Sequence, residues 1–409
     1  MSLSTQEELE REYVMGTFAR KPVQFVRGEG VRLFDDEGNE YLDFVAGIGV
    51  ISVGHCHPRL AAAVRRQAET LMHVSNYYYI EKRGEVARKL SRMLRATCPE
   101  DEAWKVFFSN SGAESNECAI KLARVYAKRR AEAEGKAAPR VIVTLERSFH
   151  GRTLASLAAT AQPAKQELFQ PLPDGFTATP INDVAALEDL FAKRGSEICA
   201  VLLEPIQGES GVHPCTAEFM TAARRLTSEH GALLMCDEVQ CGIFRCGEYP
   251  FGFQHLGVQP DVVSMAKGIA GGFPMGACAA RASVADSFSA GDHGTTFGGS
   301  NLAIVSAYET LSIIEDENLA RNAQVVGAYL RSRLEALPQV VEVRGRGLML
   351  AAELAEGFSA PDVVLDGLGA GLVLNYTGPS TLRFLPPLTC SVSHVDQLIE
   401  RLSVLLERR

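Results

Sequence analysis

The chain has 409 residues, 46% hydrophobic and 22% charged, with a net charge of −9; this is enough to bury a large interior and to divide into more than one domain. The acidic balance speaks against a nucleic-acid partner, since the densest basic stretch, "KRRAEAEGK" (128–136), is interrupted by acids and reads as a solvated helix end. No apolar run approaches the roughly 20 residues of a membrane span, and the opening "MSLSTQEELEREYV" has no apolar signal core, so a cytoplasmic protein without a membrane partner is expected.

In chain order, the first pattern is "VRLFDDEGNEYLDF" (31–44), whose alternation around a D-E-G turn predicts a β-hairpin. "GHCHP" (54–58) places His55 and His57 around Cys56, but no second ligand cluster follows, so turn and packing roles are expected there and no metal. Between residues 60 and 300 strand and helix patterns alternate. "WKVFFS" (104–109) leads into a helix on which Cys118, Leu122, Val125 and Tyr126 share a face. "RVIVTLE" (140–146), "EICAVLLEP" (197–205), "GALLMCDE" (231–238) and "DVVSMAK" (261–267) are near-continuous apolar runs, the pattern of strands buried on both faces of a parallel sheet. Helical stretches such as 216–229 separate the last three, which predicts an α/β, doubly wound open sheet. The ten cysteines contain no CxxC pair, and Cys236, Cys241 and Cys246, spaced by five, suit neither zinc nor a disulfide framework, in keeping with a reducing compartment.

After residue 300 the character changes. One long helical pattern (about 301–337) crosses to "VVEVRGRGLMLAAEL" (340–354), two short strands joined at a glycine turn. "STLRFLPPLT" (380–389) then precedes an amphipathic helix on which Val395, Leu398, Ile399, Leu402 and Leu406 share a face. The expected division is an N-terminal extension with the hairpin (1–60) joining a small α+β domain (301–409), and a large domain (61–300) between them.

Ligands of open α/β sheets bind beyond the carboxyl ends of the strands, and the polar residues there form a set. "SNSGAESNE" (109–117) is a glycine loop opening a helix, whose free N–H groups and dipole suit a phosphate. "RSFHGRT" (147–153) offers the ring of Phe149 and the guanidinium of Arg152. Glu204 ends the next run, Asp237 the fourth and Lys267 the fifth. Each has an ordinary alternative: a helix cap, a structural ion pair, a lysine snorkelling to water. Together, an amine for a Schiff base, a carboxylate for a pyridinium nitrogen, an aromatic ring and a phosphate cradle describe a pyridoxal 5'-phosphate site.

Over nearly its whole length the chain resembles the class III, fold-type I pyridoxal-phosphate aminotransferases. The resemblance is carried by "YLDFVAGIGVISVGHCHP", "NSGAESNECAIKLAR", "SFHGRT", "LLEPIQGESG", "DEVQCGIFRCG", "AKGIAGGFPMGA", "HGTTFGG" and "LRFLPP". Within that class it is most similar to the acetylornithine aminotransferases of arginine biosynthesis. The resemblance implies a large domain built on a mostly parallel seven-stranded sheet, a smaller α+β domain, and a homodimer whose active sites are shared. It implies that Ser111, Gly112 and Ala113 bind the cofactor phosphate, that Phe149 and Val239 cover the two faces of the ring, and that Asp237 keeps the ring nitrogen protonated. Gln240 would approach the ring hydroxyl, Lys267 hold the cofactor and move protons, and Thr296 reach the phosphate of the neighbouring subunit. On the substrate side it gives Arg152, with Thr295 nearby, to a distal carboxylate, and Arg383 to the second carboxylate of glutamate or 2-oxoglutarate, with Glu204 pairing Arg383 when no such carboxylate is present.

The chain also departs from the pattern. Ala113 stands where many relatives have threonine, and "GGSNLA" (298–303) replaces the commoner Gly-Gly-Asn-Pro. Ile48 stands where ornithine aminotransferases carry a tyrosine for the free amino-acid end, which favours an acylated substrate. Succinylornithine, ornithine, 4-aminobutyrate or carrier-linked lysine aminotransferases, or an aminomutase, would share the fold. A non-catalytic regulatory protein binding a phosphate ligand would need neither Lys267 nor Arg383.

Overall fold

Seven strands form the central sheet: β1 (Trp104–Ser109), β2 (Val141–Leu145), β3 (Phe176–Thr179), β4 (Ile198–Leu203), β5 (Leu233–Asp237), β6 (Val262–Met265) and β7 (Gly276–Arg281). The structure is a computed structural model and describes residues 2–408. The strand order is β1-β7-β6-β5-β4-β2-β3, and only β7 runs antiparallel to its neighbours. β2, β4 and β5 are buried at every position, which is why they read as unbroken apolar runs. Their period-two alternation feeds two separate cores. Val143, Val201, Leu203, Leu234 and Cys236 face one, and Ile142, Ala200, Leu202, Leu233 and Met235 face the other. The helix Gly112–Glu134 closes the second core through Cys118, Leu122 and Ala123, and Ala217–His230 closes the first through Phe219, Ala223 and Leu226. Among the described residues no helix is long and apolar enough to cross a membrane.

The predicted hairpin forms from Arg32–Asp35 and Glu40–Asp43, and Phe25–Glu29 extends it on one side. On the other side Leu372–Val373 adds in parallel, so the N-terminal segment is stitched to the C-terminal part of the chain. His55 and His57 serve as packing residues, pairing with Asp43 at 2.7 Å and Glu317 at 3.0 Å.

The single long helix expected over 301–337 is two helices, Asn301–Asp316 and Leu319–Glu335. Asn318 breaks it with φ 52, a left-handed conformation that asparagine tolerates better than most residues. The strands Val340–Arg346 and Met349–Leu354 pair as predicted, and Thr381–Phe384 and then Asn375–Tyr376 complete a second four-stranded sheet. Helix Val392–Glu407 buries the five expected residues together with Leu405. Two strands of the central sheet, β3 and β7, were not anticipated from the apolar pattern.

Candidate active site

A cavity of about 450 Å³ opens at the carboxyl ends of the parallel strands, lined by residues from five of their following loops. β1 runs out at Ser109 and the chain turns into the helix beginning at Gly112. The Ser111 hydroxyl accepts from Glu114 N–H (3.2 Å) and the Ser111 carbonyl accepts from Ser115 N–H (3.1 Å). The N–H groups of Gly112 and Ala113 have no partner among the described residues where both line the cavity, the arrangement in which a helix end takes an anion. A Cβ on Gly112 would lie 2.7 Å from Val239 Cγ1, so the glycine lets Val239 close against the cradle.

Asp237 ends β5 at 3% exposure. Its Oδ2 accepts from Asn116 Nδ2 (2.7 Å) and His150 Nδ1 (2.8 Å), and its Oδ1 from Val239 N–H (3.0 Å). Asn116 is fixed in turn by Ser264 Oγ, 2.6 Å away, on the neighbouring strand β6. Burial pulls the His150 imidazole down, but its bond to Asp237 and the charge of that carboxylate outweigh burial and hold it above its usual value. Nε2 of His150 is buried without a partner among the described residues.

Lys267 follows β6 and opens a 3-10 turn, Lys267–Ala270, with φ 44. Its half-buried ammonium makes no hydrogen bond among the described residues. Burial holds its pKa below the ordinary lysine value, although the carboxylates of Glu209 and Asp237 pull the other way. This is the lysine chemistry that makes a nucleophile and base.

Arg383 lies on Thr381–Phe384 at 2% exposure. Its partner is Glu209 at 2.7 Å, with Gly208 O, Gln240 Oε1 and Asn375 Oδ1 completing its shell. The expected partner, Glu204, does not reach it. Glu204 accepts instead from the N–H groups of Phe149 (3.0 Å) and Gly208 (3.5 Å), and burial pushes its carboxyl up to about 7. The reason is local: Glu204 ends the buried strand, whereas the hairpin of Ile206–Gln207 with His213–Pro214 carries Glu209 across to the C-terminal sheet. Gln240 binds the same network, donating to Glu209 Oε1 at 2.9 Å.

Phe149 and Arg152 line the cavity, with the guanidinium carbon 5.6 Å from the ring centroid. Arg152 is exposed and makes no ion pair with a described residue. Thr295 accepts from Gly298 N–H (3.2 Å) and Asn110 Nδ2 (3.3 Å), and neither Thr295 nor the exposed Thr296 lines this cavity. Ile48 sits in a left-handed turn, φ 66, at 39% exposure. Sequence reasoning passed over His150, Asn116, Glu209 and Asn375; the first three lie inside the motifs already quoted.

A free N–H cradle at a helix start, a glycine that a Cβ would overfill, a buried carboxylate and an amine of depressed pKa fit pyridoxal 5'-phosphate. With two arginines nearby for carboxylates, fold and site together define a fold-type I aminotransferase, an enzyme that uses this cofactor. The chain belongs to the family Aminotransferase class-III, which matches residues 17–406. It is 43% identical over 401 residues to the acetylornithine aminotransferase of Caldanaerobacter subterraneus subsp. tengcongensis, covering 97% of this chain and 98% of that one. Among solved structures it is similar to acetylornithine aminotransferase from Elizabethkingia anophelis, at 31% identity and TM-score 0.86 over 100% of both chains. It is also similar to an ornithine aminotransferase from Toxoplasma gondii whose active site holds PLP at partial occupancy, at 31% identity and TM-score 0.91 over 100% of this chain and 94% of that one.

Proposed function

We propose that the protein moves the terminal amino group of N-acetylornithine to 2-oxoglutarate, yielding N-acetylglutamate semialdehyde and glutamate, as a cytoplasmic step of arginine biosynthesis. The observation that carries this reading is the unequal state of the two arginines: Arg383 is covered by Glu209, whereas Arg152 makes no ion pair with a described residue. A substrate with one carboxylate far from its reacting amine needs only Arg152. A dicarboxylic keto acid needs both, and displaces Glu209 from Arg383. The apolar Ile48 suits an acylated α-amine better than a charged one.

Pyridoxal 5'-phosphate, when bound, supplies an electron sink for the carbon that loses its proton. The chain's own groups do the rest. The N–H groups of Gly112 and Ala113, with Ser111, would hold the phosphate; Phe149 and Val239 would bound the ring, and Gln240 would serve its hydroxyl. Asp237, oriented by Asn116 and His150, would keep a proton on the ring nitrogen. Lys267, whose burial favours the neutral amine, takes the proton from the substrate carbon bearing nitrogen and later returns one.

The active assembly is a homodimer in which Thr296 reaches the partner's phosphate. An exposed apolar patch supports this: Tyr77 is 96% and Phe297 64% exposed, and the ring of His73 lies 5.4 Å from that of Phe297, next to Thr296. The division into an N-terminal extension (1–60), a large domain (61–300) and a small domain (301–409) is part of the same reading, supported by the strand Leu372–Val373 pairing with the N-terminal sheet.

The test is a single-turnover titration without keto acid, following the visible absorbance of bound cofactor with N-acetylornithine, succinylornithine, ornithine and 4-aminobutyrate in turn. Loss is expected fastest with N-acetylornithine; fastest loss with ornithine or 4-aminobutyrate would overturn the substrate. Lys267→Ala should abolish turnover, and near-normal turnover in it would sink the mechanism. Sedimentation of the same preparation as a fully active monomer would remove the shared-site dimer.

A further inference from the structure

Two cations share the ring of Phe149; Phe149 and Arg152 line the cavity, and Lys165 stands outside that lining. Arg152 Cζ lies 5.6 Å and Lys165 Nζ 5.9 Å from the centroid of Phe149. Neither makes an ion pair with a described residue; the Lys165 ammonium has only the neutral side-chain oxygen of Gln162. Lys165 is half-buried on the short helix Pro163–Gln166. Burial first, and then the charge of Arg152, hold its pKa below the usual lysine value, while the Glu209 carboxylate pulls the other way. Two like charges around one ring, partly shielded from water and with no carboxylate paired to either among the described residues, repel each other. An anion arriving between them relieves that repulsion and gains from both.

The geometry points to Lys165 as a second cation of the far-carboxylate subsite: Arg152 and Lys165 together bind the carboxylate that lies at the end of the substrate away from the reacting centre, and so select substrates that carry one. Arg152 offers its planar fork to one or both oxygens, and Lys165 adds a point charge on a flexible stem. The far end of N-acetylornithine is its α-carboxylate, and the far end of 2-oxoglutarate is its side-chain carboxylate, so one subsite serves both halves of the reaction. For the amine half this rests on the function proposed above. The keto-acid half does not depend on which amine is the donor. A solely structural Lys165 would hold the turn through Gln162 and favour no substrate by its charge.

The test uses holoenzyme with the native residue, Lys165→Met and Lys165→Arg, and two pairs of compounds that differ only in the far carboxylate. N-Acetylputrescine is N-acetylornithine without its carboxylate, and 2-oxopentanoate carries a methyl group where 2-oxoglutarate carries the distal carboxylate. In Lys165→Met, kcat/KM for N-acetylornithine and 2-oxoglutarate should fall roughly tenfold, through KM rather than kcat, because a charge-assisted contact common to ground and transition states is lost. The two neutral compounds should change by no more than about twofold. Lys165→Arg should restore much of the discrimination. A charged-to-neutral ratio in Lys165→Met equal to that of the native enzyme in both pairs overturns the proposal, as does an equal loss with all four compounds. If native enzyme does not prefer N-acetylornithine to N-acetylputrescine, the proposed amine substrate falls, and the keto-acid pair still decides Lys165.

Discussion

Glu204 and Glu209 lie on one short stretch, "LLEPIQGESG", yet they meet opposite surroundings. Glu204 is buried on backbone N–H groups with its carboxyl pushed up to about 7, while Arg383 and its positive charge hold Glu209 below the ordinary carboxylate range in spite of burial. The sequence makes Glu204 visible as an acid ending a buried strand, and only the family resemblance pairs it with Arg383. What the sequence conceals is the hairpin turn that swings the later glutamate across. The distinction can be measured. Removing the Glu209 carboxylate leaves Arg383 uncovered, so compounds with a carboxylate beside the reacting amine should gain on those without one. In Glu209→Ala the ratio of kcat/KM for glutamate to that for N-acetylornithine should rise by roughly tenfold or more, since a partly desolvated charge pair has lost one member. In Glu204→Gln that ratio should stay near the native value. The reverse pattern would return the gate to Glu204.

Among the elements, those legible in the sequence were the ones buried on both faces. β2, β4, β5 and β6 announce themselves as valine- and leucine-rich runs, and the C-terminal helix by its stripe. β7 reads "GACAAR", small residues with little strand propensity, and it is a strand because it fills the antiparallel slot between β1 and β6. Its small side chains follow from that position: a Cβ on Gly276 would meet Ser111 O at 2.4 Å, so the strand and the phosphate cradle press on each other. β3 is four residues at the sheet edge, too short for a pattern. The cradle itself was legible because glycine and small polar residues at a helix start have a chemical meaning. Gly112→Ala tests it. The added Cβ would lie 2.7 Å from Val239 Cγ1, so Val239 must shift towards the ring site, at a cost of about 1–3 kcal/mol for overpacking. Cofactor affinity should weaken roughly tenfold, and the cofactor-free protein should lose about 1–3 kcal/mol of unfolding stability to the same overpacking. Unaltered cofactor affinity would show that the ring and phosphate do not lie against this contact.

For the whole molecule, buried titratable groups tie global stability to pH, and their signs differ. Glu238 is buried, accepting from the N–H groups of Gly252 (2.9 Å) and Phe253 (2.8 Å). Burial nevertheless pushes its carboxyl up to about 7 from its ordinary value of 4.5. Between those values the folded chain holds a proton that the unfolded chain has released, so this group makes stability fall as pH rises through the window. His255, whose burial lowers it to about 4, acts the other way up to its unfolded value of 6.5. Cys118, lowered to about 6 beside Cys278 and His293, also gains stability with rising pH. The net slope is therefore a sum of opposed contributions, and a single substitution isolates one of them. In cofactor-free protein unfolded by denaturant, Glu238→Gln should be less stable than the native chain at pH 5, since an amide cannot reproduce both backbone contacts. Its deficit should shrink as pH rises towards 7, by at most about 1.4 kcal/mol per pH unit, the linkage slope of one proton. Glu209, held below the ordinary range by Arg383, contributes stability that is fully present above pH 4.5 and adds no slope here. A deficit that is constant from pH 5 to 7 would mean that Glu238 stays ionised throughout, with its two backbone donors outweighing its burial.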